Sequence, residues 1–292
     1  MMEMELVCEG LRFPEGPMAM ADGSVVIVEV QGLALTRVWP DGRKEVLVET
    51  GGGPNGAAVG PDGAIWIANN GGAFFFPDDY RGGYIQRYQP ATGKIETVYE
   101  ACDGARLIAP NDLVFDRQGG LWFTDHGLPT EEGRRYGALY YCRTDGSMIS
   151  RQRRRLLSPN GVGLSPDETV VYVADTELAR LWAFDVVEPG VLTPQDRHAP
   201  GRVIANLPGL QALDSLAVEA GGKVCAATIG QNGITIFDPA GATELVPSPD
   251  PITTNICFGG ADMRDAWITG SAGGRLYKCR WPRPGLRLNF NA

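Results

Sequence analysis

Six acid or amide side chains recur at one position of a repeated short phrase, and each of them offers oxygen as a ligand. The intervals between successive members are 40, 56, 49, 54 and 41 residues, as expected for a repeat whose loops vary in length. Because none of the six offers a thiolate or an imidazole, the set would select a hard cation such as calcium, magnesium or manganese. The six occurrences are Pro14-Glu15-Gly16, Pro54-Asn55-Gly56, Pro110-Asn111-Asp112, Pro159-Asn160-Gly161, Leu213-Asp214-Ser215 and Thr254-Asn255-Ile256.

These six positions, called anchors below, combine two carboxylates with four amides. Glu15 and Asp214 would balance the charge of a dication, and neutral asparagine oxygens would complete its ligand shell. Asn and Asp also form turns and caps at strand starts, which would explain the polarity of each anchor taken alone. That alternative does not explain a mixed set of acids and amides at one repeat position, so we favour a metal site. For Asn55 and Asn255 a channel-lining role and a structural role stay open.

Around each anchor the sequence predicts the same succession of strands and turns. Seven residues after the anchor comes a turn, such as Asp22-Gly23 or Asp62-Gly63, and a strand centre follows, such as Trp66. Further strand-like sequence and a second turn bring the total to about four strands per repeat, the content of one propeller blade. Dividing 292 residues among six repeats gives about 49 residues each, a usual blade size.

The sequence therefore predicts an all-β fold, a six-bladed β-propeller with four-stranded blades around a central channel, formed by residues 1–292 as a single domain. We expect the N-terminal strand around residues 6–8 to complete the last blade beside residues 276–281, because ring closure removes exposed sheet edges. Residues at the same repeat position would then point to the same place, so the anchors would converge at one mouth of the channel.

The composition argues against several classes of partner. A net charge of −9 does not suit nucleic acid, which needs clustered Lys and Arg, and we interpret the one basic run, residues 151–155, as a solvated edge. No apolar stretch approaches the roughly 18 residues that span a bilayer, so no membrane partner is expected. Six cysteines without a CxxC pair, and an N-terminus without a signal sequence, predict a cytoplasmic protein. The oligomeric state stays open.

Five motifs resemble the senescence marker protein/gluconolactonase (regucalcin-like) family, over nearly the whole chain and in the family's order. The resemblance implies a propeller with one divalent metal ion, calcium being favoured and magnesium, manganese, zinc or iron(II) being alternatives. Carried onto matching positions, it implies Glu15, Asn160 and Asp214 as metal ligands. It implies Asn111 as a fourth ligand or as a contact to the substrate and to metal-bound water. The motifs are Phe13-Pro14-Glu15-Gly16-Pro17, Pro110-Asn111-Asp112-Leu113, Trp122-Phe123-Thr124-Asp125, Pro159-Asn160-Gly161-Val162 and Leu213-Asp214-Ser215.

Many members of that family are lactonases, so we predict a metal-dependent hydrolase that opens a small lactone, such as a sugar-acid lactone, by attack of activated water. Asp214 is the candidate catalytic residue, either as a general base or as a nucleophile that would form an acyl-enzyme. With two histidines and no GxSxG motif, a Ser-His-Asp triad has no support. The alternatives are hydrolysis of another ester, such as a phosphotriester, and a non-enzymatic metal-binding propeller.

One segment departs from the family pattern. Some sugar-lactone members place Arg shortly before the third anchor, whereas this chain has Leu107-Ile108-Ala109-Pro110. The departure argues against gluconolactone itself as the substrate.

Several residues outside the anchors are further candidates. His126 ends a second strand near the expected site and is interpreted either as substrate-binding or as a structural residue. Residues 71–83 contain Phe74-Phe75-Phe76 and form either a lid or an aromatic cluster packed on a blade face. Residues 127–137 carry Arg134 and Arg135, one of which could contact the carboxylate or hydroxyl groups of a substrate, although a solvated loop is favoured. The acids and amides at equivalent second-strand ends are interpreted as a ring of caps: Glu29, Asn69, Asp125 and Asp175.

Overall fold

Short antiparallel strands joined by tight turns form six sheets of at least four strands each, and these are the blades of a propeller. A computed structural model describes residues 2–291. Within the first five blades, chain order is also spatial order, from the inner strand at the channel to the outer strand at the surface. The predicted all-β, six-bladed fold is confirmed.

The strand bounds follow the repeat of the anchors. Blade 1 consists of Pro14–Ala19, Val25–Glu29, Ala34–Val38 and Lys44–Glu49. Blade 2 consists of Pro54–Val59, Ile65–Asn69, Tyr84–Gln89 and Lys94–Tyr99. Blade 3 consists of Pro110–Phe115, Gly120–Asp125, Gly137–Arg143 and Ile149–Leu156. Blade 4 consists of Pro159–Leu164, Val170–Asp175, Arg180–Glu188 and Arg202–Asn206. Blade 5 consists of Ala212–Val218, Val224–Ile229, Gly233–Phe237 and Thr243–Pro247. Blade 6 consists of Thr253–Gly259, Asp265–Gly270, Arg275–Arg280 and Glu5–Cys8. Smaller additions are the hairpins Ala101–Cys102 with Ala105–Arg106 and Leu128–Thr130 with Gly133–Arg135, and a strand, Val191–Leu192, beside the third strand of blade 4.

The last blade is closed by the beginning of the chain. Leu6 pairs with Tyr277 and Cys8 pairs with Leu276, so the N-terminal strand forms the outer edge of blade 6. This confirms the pairing that the sequence predicted. The first and last blades are thereby fastened together by backbone hydrogen bonds, which leaves no open seam in the ring.

The core lies between the blades. Six apolar clusters fill the six interfaces between neighbouring blades. Each inner strand also packs against the inner strand of the next blade, and that of blade 6 packs against that of blade 1. Among the largest buried side chains, Trp66 and Trp122 lie in second strands and Trp281 follows the third strand of blade 6. Burial between blades therefore holds the inner strands in a closed ring around the axis.

The central channel contains a cavity of about 130 Å³ on the far side of the anchors. Side chains of the inner strands line it, among them Met18, Val114 and Leu216. The C-terminal segment closes its far end: Leu286 N donates to Val218 O at 2.8 Å, and Asn289 Nδ2 donates to Phe115 O at 3.0 Å. The C-terminal segment therefore covers the channel at the end opposite the anchors.

One prediction about the surface is wrong in part. In the basic run of blade 3, the side chain of Arg153 is buried, and its guanidinium donates to Thr193 O at 2.6 Å and to Pro200 O at 2.9 Å. It also lies over the ring of Phe184, 5.2 Å from the centroid. Arg153 therefore joins blade 3 to blade 4 and is not a solvated charge.

The cysteines form no disulfide bonds with one another. All six cysteines are free thiols, and Cys257 is the one that is only partly buried. Within residues 2–291 the structure has no helix that is long and apolar enough to cross a membrane.

Candidate functional site

Every inner strand carries one extra residue beside its anchor. In blade 3, for example, Pro110 pairs with Asp125 but Leu113 pairs with Phe123, so two residues oppose one. Such a bulge interrupts the ladder and re-aims the side chains around it. Because the bulge recurs in all six blades, a distinct backbone conformation at the anchor position is part of the fold. The six interruptions lie between Glu15 and Met18, Pro54 and Gly56, Pro110 and Leu113, Pro159 and Val162, Leu213 and Leu216, and Thr253 and Asn255.

Glycine follows three of the anchors because neighbouring inner strands approach closely there. A Cβ atom on Gly16 would lie 2.9 Å from Ala57 N, and one on Gly161 would lie 2.6 Å from Leu216 N. Both distances are shorter than side chains tolerate, so only glycine allows this spacing. The close approach narrows the ring at the level of the anchors and brings them toward one another.

The second-strand ends hold the segments that lead into the anchors. Asp125 accepts hydrogen bonds from the backbone N–H groups of Ile108 and Ala109 at 2.6 and 2.8 Å. Asp175 accepts equivalent bonds from Leu157 and Ser158, both at 3.2 Å. In blade 1, Glu29 accepts a hydrogen bond from Arg12 N at 2.6 Å, and in blade 2, Asn69 accepts one from Gly53 N at 2.8 Å. The interpretation of these residues as a ring of caps is therefore confirmed.

Hydrogen bonds connect anchors of different blades. Asn255 Nδ2 donates to Glu15 Oε2 at 3.2 Å, which joins blade 6 to blade 1. Ser215 Oγ, next to Asp214, donates to Asn160 Oδ1 at 3.4 Å and joins blade 5 to blade 4. The fold therefore brings anchors from distant parts of the chain to one end of the channel.

The anchor carboxyl groups are buried with little compensating positive charge. Burial, and then the charge of Asp214, raise the pKa of Glu15 well above its usual value. Burial, with the charge of Asp112, raises the pKa of Asp214 to about 7. A hydrogen bond from Asn160 opposes that rise. Three acids in one buried site cannot all ionise easily unless a cation joins them.

Asp112 is the residue that sequence reasoning missed. It occupies the place that glycine takes in three other blades, and it accepts hydrogen bonds from Leu113 N at 2.8 Å and Val162 N at 3.2 Å. Burial raises its pKa to about 7. The sequence does show a carboxyl residue directly after the anchor Asn111. Because glycine occupies this position in three other blades, the repeat indicated that the position serves close packing of the backbone.

The donor set fits a hard divalent cation. Asn111 Oδ1 is buried and has no hydrogen-bond partner among residues 2–291, which leaves a carbonyl oxygen free to bind an ion. Within the same residues, no three His, Cys, Asp or Glu side chains form a metal cluster, so amide oxygens would have to contribute ligands. Carboxylate and amide oxygens together are the ligands that calcium prefers.

Aromatic side chains of residues 71–83 border the anchor mouth. The ring of Phe75 lies 4.9 Å from that of Phe13, two residues before Glu15, and the ring of Phe74 meets His126 edge to face at 5.2 Å. The segment therefore arches from blade 1 to blade 3. Of the two interpretations left open by the sequence, its position favours a wall or lid over a cluster on an outer blade face.

His126 is held from behind by Arg134. The guanidinium donates to His126 Nδ1 at 3.0 Å and to His126 O at 2.7 Å, and it also contacts Leu157 O and Glu177. The Arg134 side chain is only 8% exposed, so the expectation of a solvated loop is wrong for this residue. Burial and the charge of Arg134 lower the pKa of His126 to about 3. His126 is therefore neutral, with its ring proton on Nε2, because Nδ1 accepts from a permanent cation.

The chain also matches a known family. The model described as SMP-30/Gluconolactonase/LRE-like region matches residues 13–272. The chain belongs to the SMP-30/gluconolactonase/LRE-like family. This confirms the resemblance on which the sequence analysis relied.

Relatives in and around the SMP-30/gluconolactonase/LRE-like family match most of the chain. A gluconolactonase of Zymomonas mobilis is 28% identical over 282 residues, which cover 88% of this chain and 76% of the relative. A diisopropyl-fluorophosphatase of Loligo vulgaris is 24% identical over 313 residues, covering 96% and 93%. The solved structure of a gluconolactonase from Xanthomonas campestris superposes with a TM-score of 0.78 at 26% identity, covering 96% of this chain and 89% of that one.

Proposed function

We propose that this protein is a lactonase that depends on one divalent cation, calcium in the first place, held by Glu15, Asn111, Asn160 and Asp214. The observation that carries the proposal is the buried Oδ1 of Asn111, which has no hydrogen-bond partner within residues 2–291 and lies at the mouth where two anchor carboxyls have raised pKa values. The names of the Zymomonas and Xanthomonas relatives support lactone hydrolysis as the reaction. A sugar-acid lactone such as an aldonolactone is the substrate that those names suggest.

The reaction adds one water molecule across an ester bond of a ring. The water oxygen bonds to the acyl carbon, the bond from that carbon to the ring oxygen breaks, and the ring oxygen takes a proton to become an alcohol. The product is a hydroxy acid, which loses its proton to solvent near neutral pH. A bound dication would act as a Lewis acid on the carbonyl group and lower the energy of the developing oxyanion.

Asp214 is the proton acceptor in this scheme. Its carboxylate takes a proton from the attacking water and returns it to the ring oxygen as that oxygen leaves. The alternative is direct attack of the Asp214 carboxylate on the acyl carbon, which would give an acyl-enzyme. Label that enters the Asp214 side chain during a single turnover in ¹⁸O-water identifies the second route, because general-base catalysis leaves the oxygens of Asp214 unlabelled.

The neighbouring polar groups orient the substrate. His126, neutral and fixed by Arg134, would donate from Nε2 to a substrate oxygen at the mouth. The amide of Asn111 would donate to the substrate while its oxygen binds the cation. Neither residue needs to change its protonation state during the cycle.

The test is removal and return of the metal. Chelation should abolish hydrolysis of a lactone panel followed by pH-stat, and calcium should restore it. Glu15→Gln should lose both calcium binding and turnover. Glu49→Gln, an exposed acid on the outer strand of blade 1, is the matched control and should retain both. Turnover that persists in metal-free protein and in Glu15→Gln would refute the proposal.

The second candidate function is hydrolysis of a phosphotriester. The match to diisopropyl-fluorophosphatase over 96% of this chain and 93% of that relative favours it. The same cation and the same Asp214 would serve, with phosphorus in place of the acyl carbon. Acid release from a phosphotriester, measured beside the lactone panel, decides between the two by the ratio of their kcat/KM values.

A further inference from the structure

We propose that the mouth selects lactones that carry an apolar substituent, alkyl or aryl, over polyhydroxylated ones. The inference rests on the proposed lactonase function, but it replaces the sugar-acid lactone that the relatives' names suggest with a lactone that carries an apolar substituent. The residues that carry it are Phe13, Phe74 and Phe75 beside the mouth and Leu210 in the connection that leads to the anchor Asp214.

The aromatic side is built into the backbone. Phe13 has a φ of 58°, a left-handed conformation that is costly for an aromatic residue, and its ring packs on that of Phe75. Phe75 is itself 36% exposed. Since Phe13 lies two residues before Glu15, this strained turn holds an apolar pair close in the chain to a proposed metal ligand.

Leu210 provides apolar surface from another blade. It lies in the connection between the outer strand of blade 4 and the inner strand of blade 5, four residues before Asp214, and it is 98% exposed. Its carbonyl oxygen would be 3.0 Å from a Cβ atom on Gly230, so the connection packs against the second-strand end of blade 5. An exposed leucine on this face of the propeller gains free energy when an apolar group covers it.

The polar groups beside the aromatic wall already have partners. The hydroxyl of Tyr80 donates to Ile108 O at 2.8 Å, and Arg134 is engaged by His126, Leu157 and Glu177. The guanidinium of Arg135 lies beside Tyr80 but is exposed to solvent. A ring with several hydroxyl groups would lose part of its hydration against this wall and gain no hydrogen bond from Tyr80 or Arg134 there, which costs binding free energy.

Three six-membered lactones test the inference: glucono-1,5-lactone, δ-valerolactone and δ-nonalactone share the reacting ring and differ in substituents. With the calcium-loaded full chain, kcat/KM for δ-nonalactone should exceed that for glucono-1,5-lactone by at least about tenfold. Phe75→Ala and Leu210→Ser should each lower kcat/KM for δ-nonalactone about tenfold and leave δ-valerolactone within about twofold. Val187→Ser, an exposed apolar residue on the third strand of blade 4, is the control and should change none of the three.

The outcomes separate this inference from the function on which it rests. A preference for glucono-1,5-lactone, or an equal loss on all three lactones in Phe75→Ala and Leu210→Ser, overturns the apolar mouth while lactone hydrolysis stands. If the calcium-loaded wild type hydrolyses none of the three, the lactonase proposal fails, and the narrower one fails with it. Leu210 is nearly fully exposed, so its substitution tests specificity even if Phe75→Ala lowers the melting temperature.

Discussion

The amide of Asn255 donates a hydrogen bond to the carboxylate of Glu15 at 3.2 Å, although the two residues are 240 positions apart in the chain. The amide is itself fixed, because its Oδ1 accepts from Ile256 N at 2.7 Å. The last blade therefore orients a proposed ligand of the first blade. The orientation of Glu15 therefore depends on the contact between the first and last blades that closes the ring.

Removing that support should weaken the metal site. We expect Asn255→Ala to lower calcium affinity roughly 10- to 100-fold, the usual cost of losing a partner that orients a ligand. Isothermal titration calorimetry of the chelated protein measures it. Asn206→Ala, which removes an amide bonded to Arg180 on blade 4, is the control and should bind calcium normally. Equal affinities in the two variants would mean that Glu15 needs no help from blade 6.

Asn111→Ala should separate stability from metal binding. Its Oδ1 is buried without a partner in the part of the chain that the structure describes, and such an atom costs about 1–3 kcal/mol in the metal-free protein. In EDTA the variant should therefore melt at or above the wild-type temperature, even though it loses a side chain. In calcium it should melt below wild type, because the ion no longer stabilises the folded state. A lower melting temperature in EDTA would show that Asn111 has a structural role.

The spacing of the inner strands depends on glycine after the anchor. A Cβ atom on Gly161 would lie 2.6 Å from Leu216 N and 2.8 Å from Asp214 O, so Gly161→Ala should lower the free energy of unfolding by about 1–3 kcal/mol. Gly221→Ala provides the comparison, since nothing lies within 4 Å of its Cβ position. That variant should be neutral or slightly more stable in urea denaturation. Similar losses in both variants would contradict the close approach of blades 4 and 5.

Glu219 links blade 5 to the C-terminal segment, and its contribution should depend on pH. Burial alone would raise its pKa, but hydrogen bonds from Arg283 at 2.5 Å and Trp281 at 2.7 Å outweigh burial and hold the pKa below its usual range. A lowered folded-state pKa stabilises the protein above the unfolded-state value, near 4.5, and that stabilisation is lost as the pH falls through the folded value. Glu219→Gln should cost about 1–2 kcal/mol at neutral pH and progressively less below pH 4.5. Urea denaturation across that range tests it, and a cost that is independent of pH would contradict the role of the ion pair.

His126 should stay neutral throughout the physiological range. Because burial and Arg134 lower its pKa to about 3, nitrogen NMR of the ring should show the Nε2–H tautomer from about pH 5 to pH 8. Arg134→Met removes the neighbouring positive charge and should raise the pKa toward its usual value. Arg135→Met, one residue further along the same hairpin, should leave it unchanged. A titration of His126 near pH 6.5 in the wild type would refute this assignment.

The propeller could be predicted from the sequence because its signals are local. Turn residues recur seven positions after each anchor, and the apolar strands between them need no knowledge of distant partners. The pairing of residues 5–8 with blade 6 also followed, because an unpaired strand at each end of a repeat array has one natural partner. What the repeat could define, namely the order of strands and the convergence of the anchors at one end, agrees with the structure.

The details that escaped prediction depend on contacts between blades. Arg153 is buried because Thr193 and Pro200, about 40 residues later, return to cover it. Arg134 is buried because the start of blade 4 lies beside its hairpin. Asp112 stood at a position that the repeat associates with glycine, so its proximity to the other acids was not evident. None of these distances can be read from composition, periodicity or spacing.

The extra residue in each inner strand has a consequence for how this scaffold can change over evolution. Each bulge lifts one side chain out of the hydrogen-bonded ladder, so the fold constrains the backbone at that point and leaves the chemistry of the side chain largely free. Six such bulged positions surround the axis of the propeller. Substitution of the side chains at these six positions would produce new catalysts without changing the blades that hold them. A few substitutions can therefore give the same propeller a different activity.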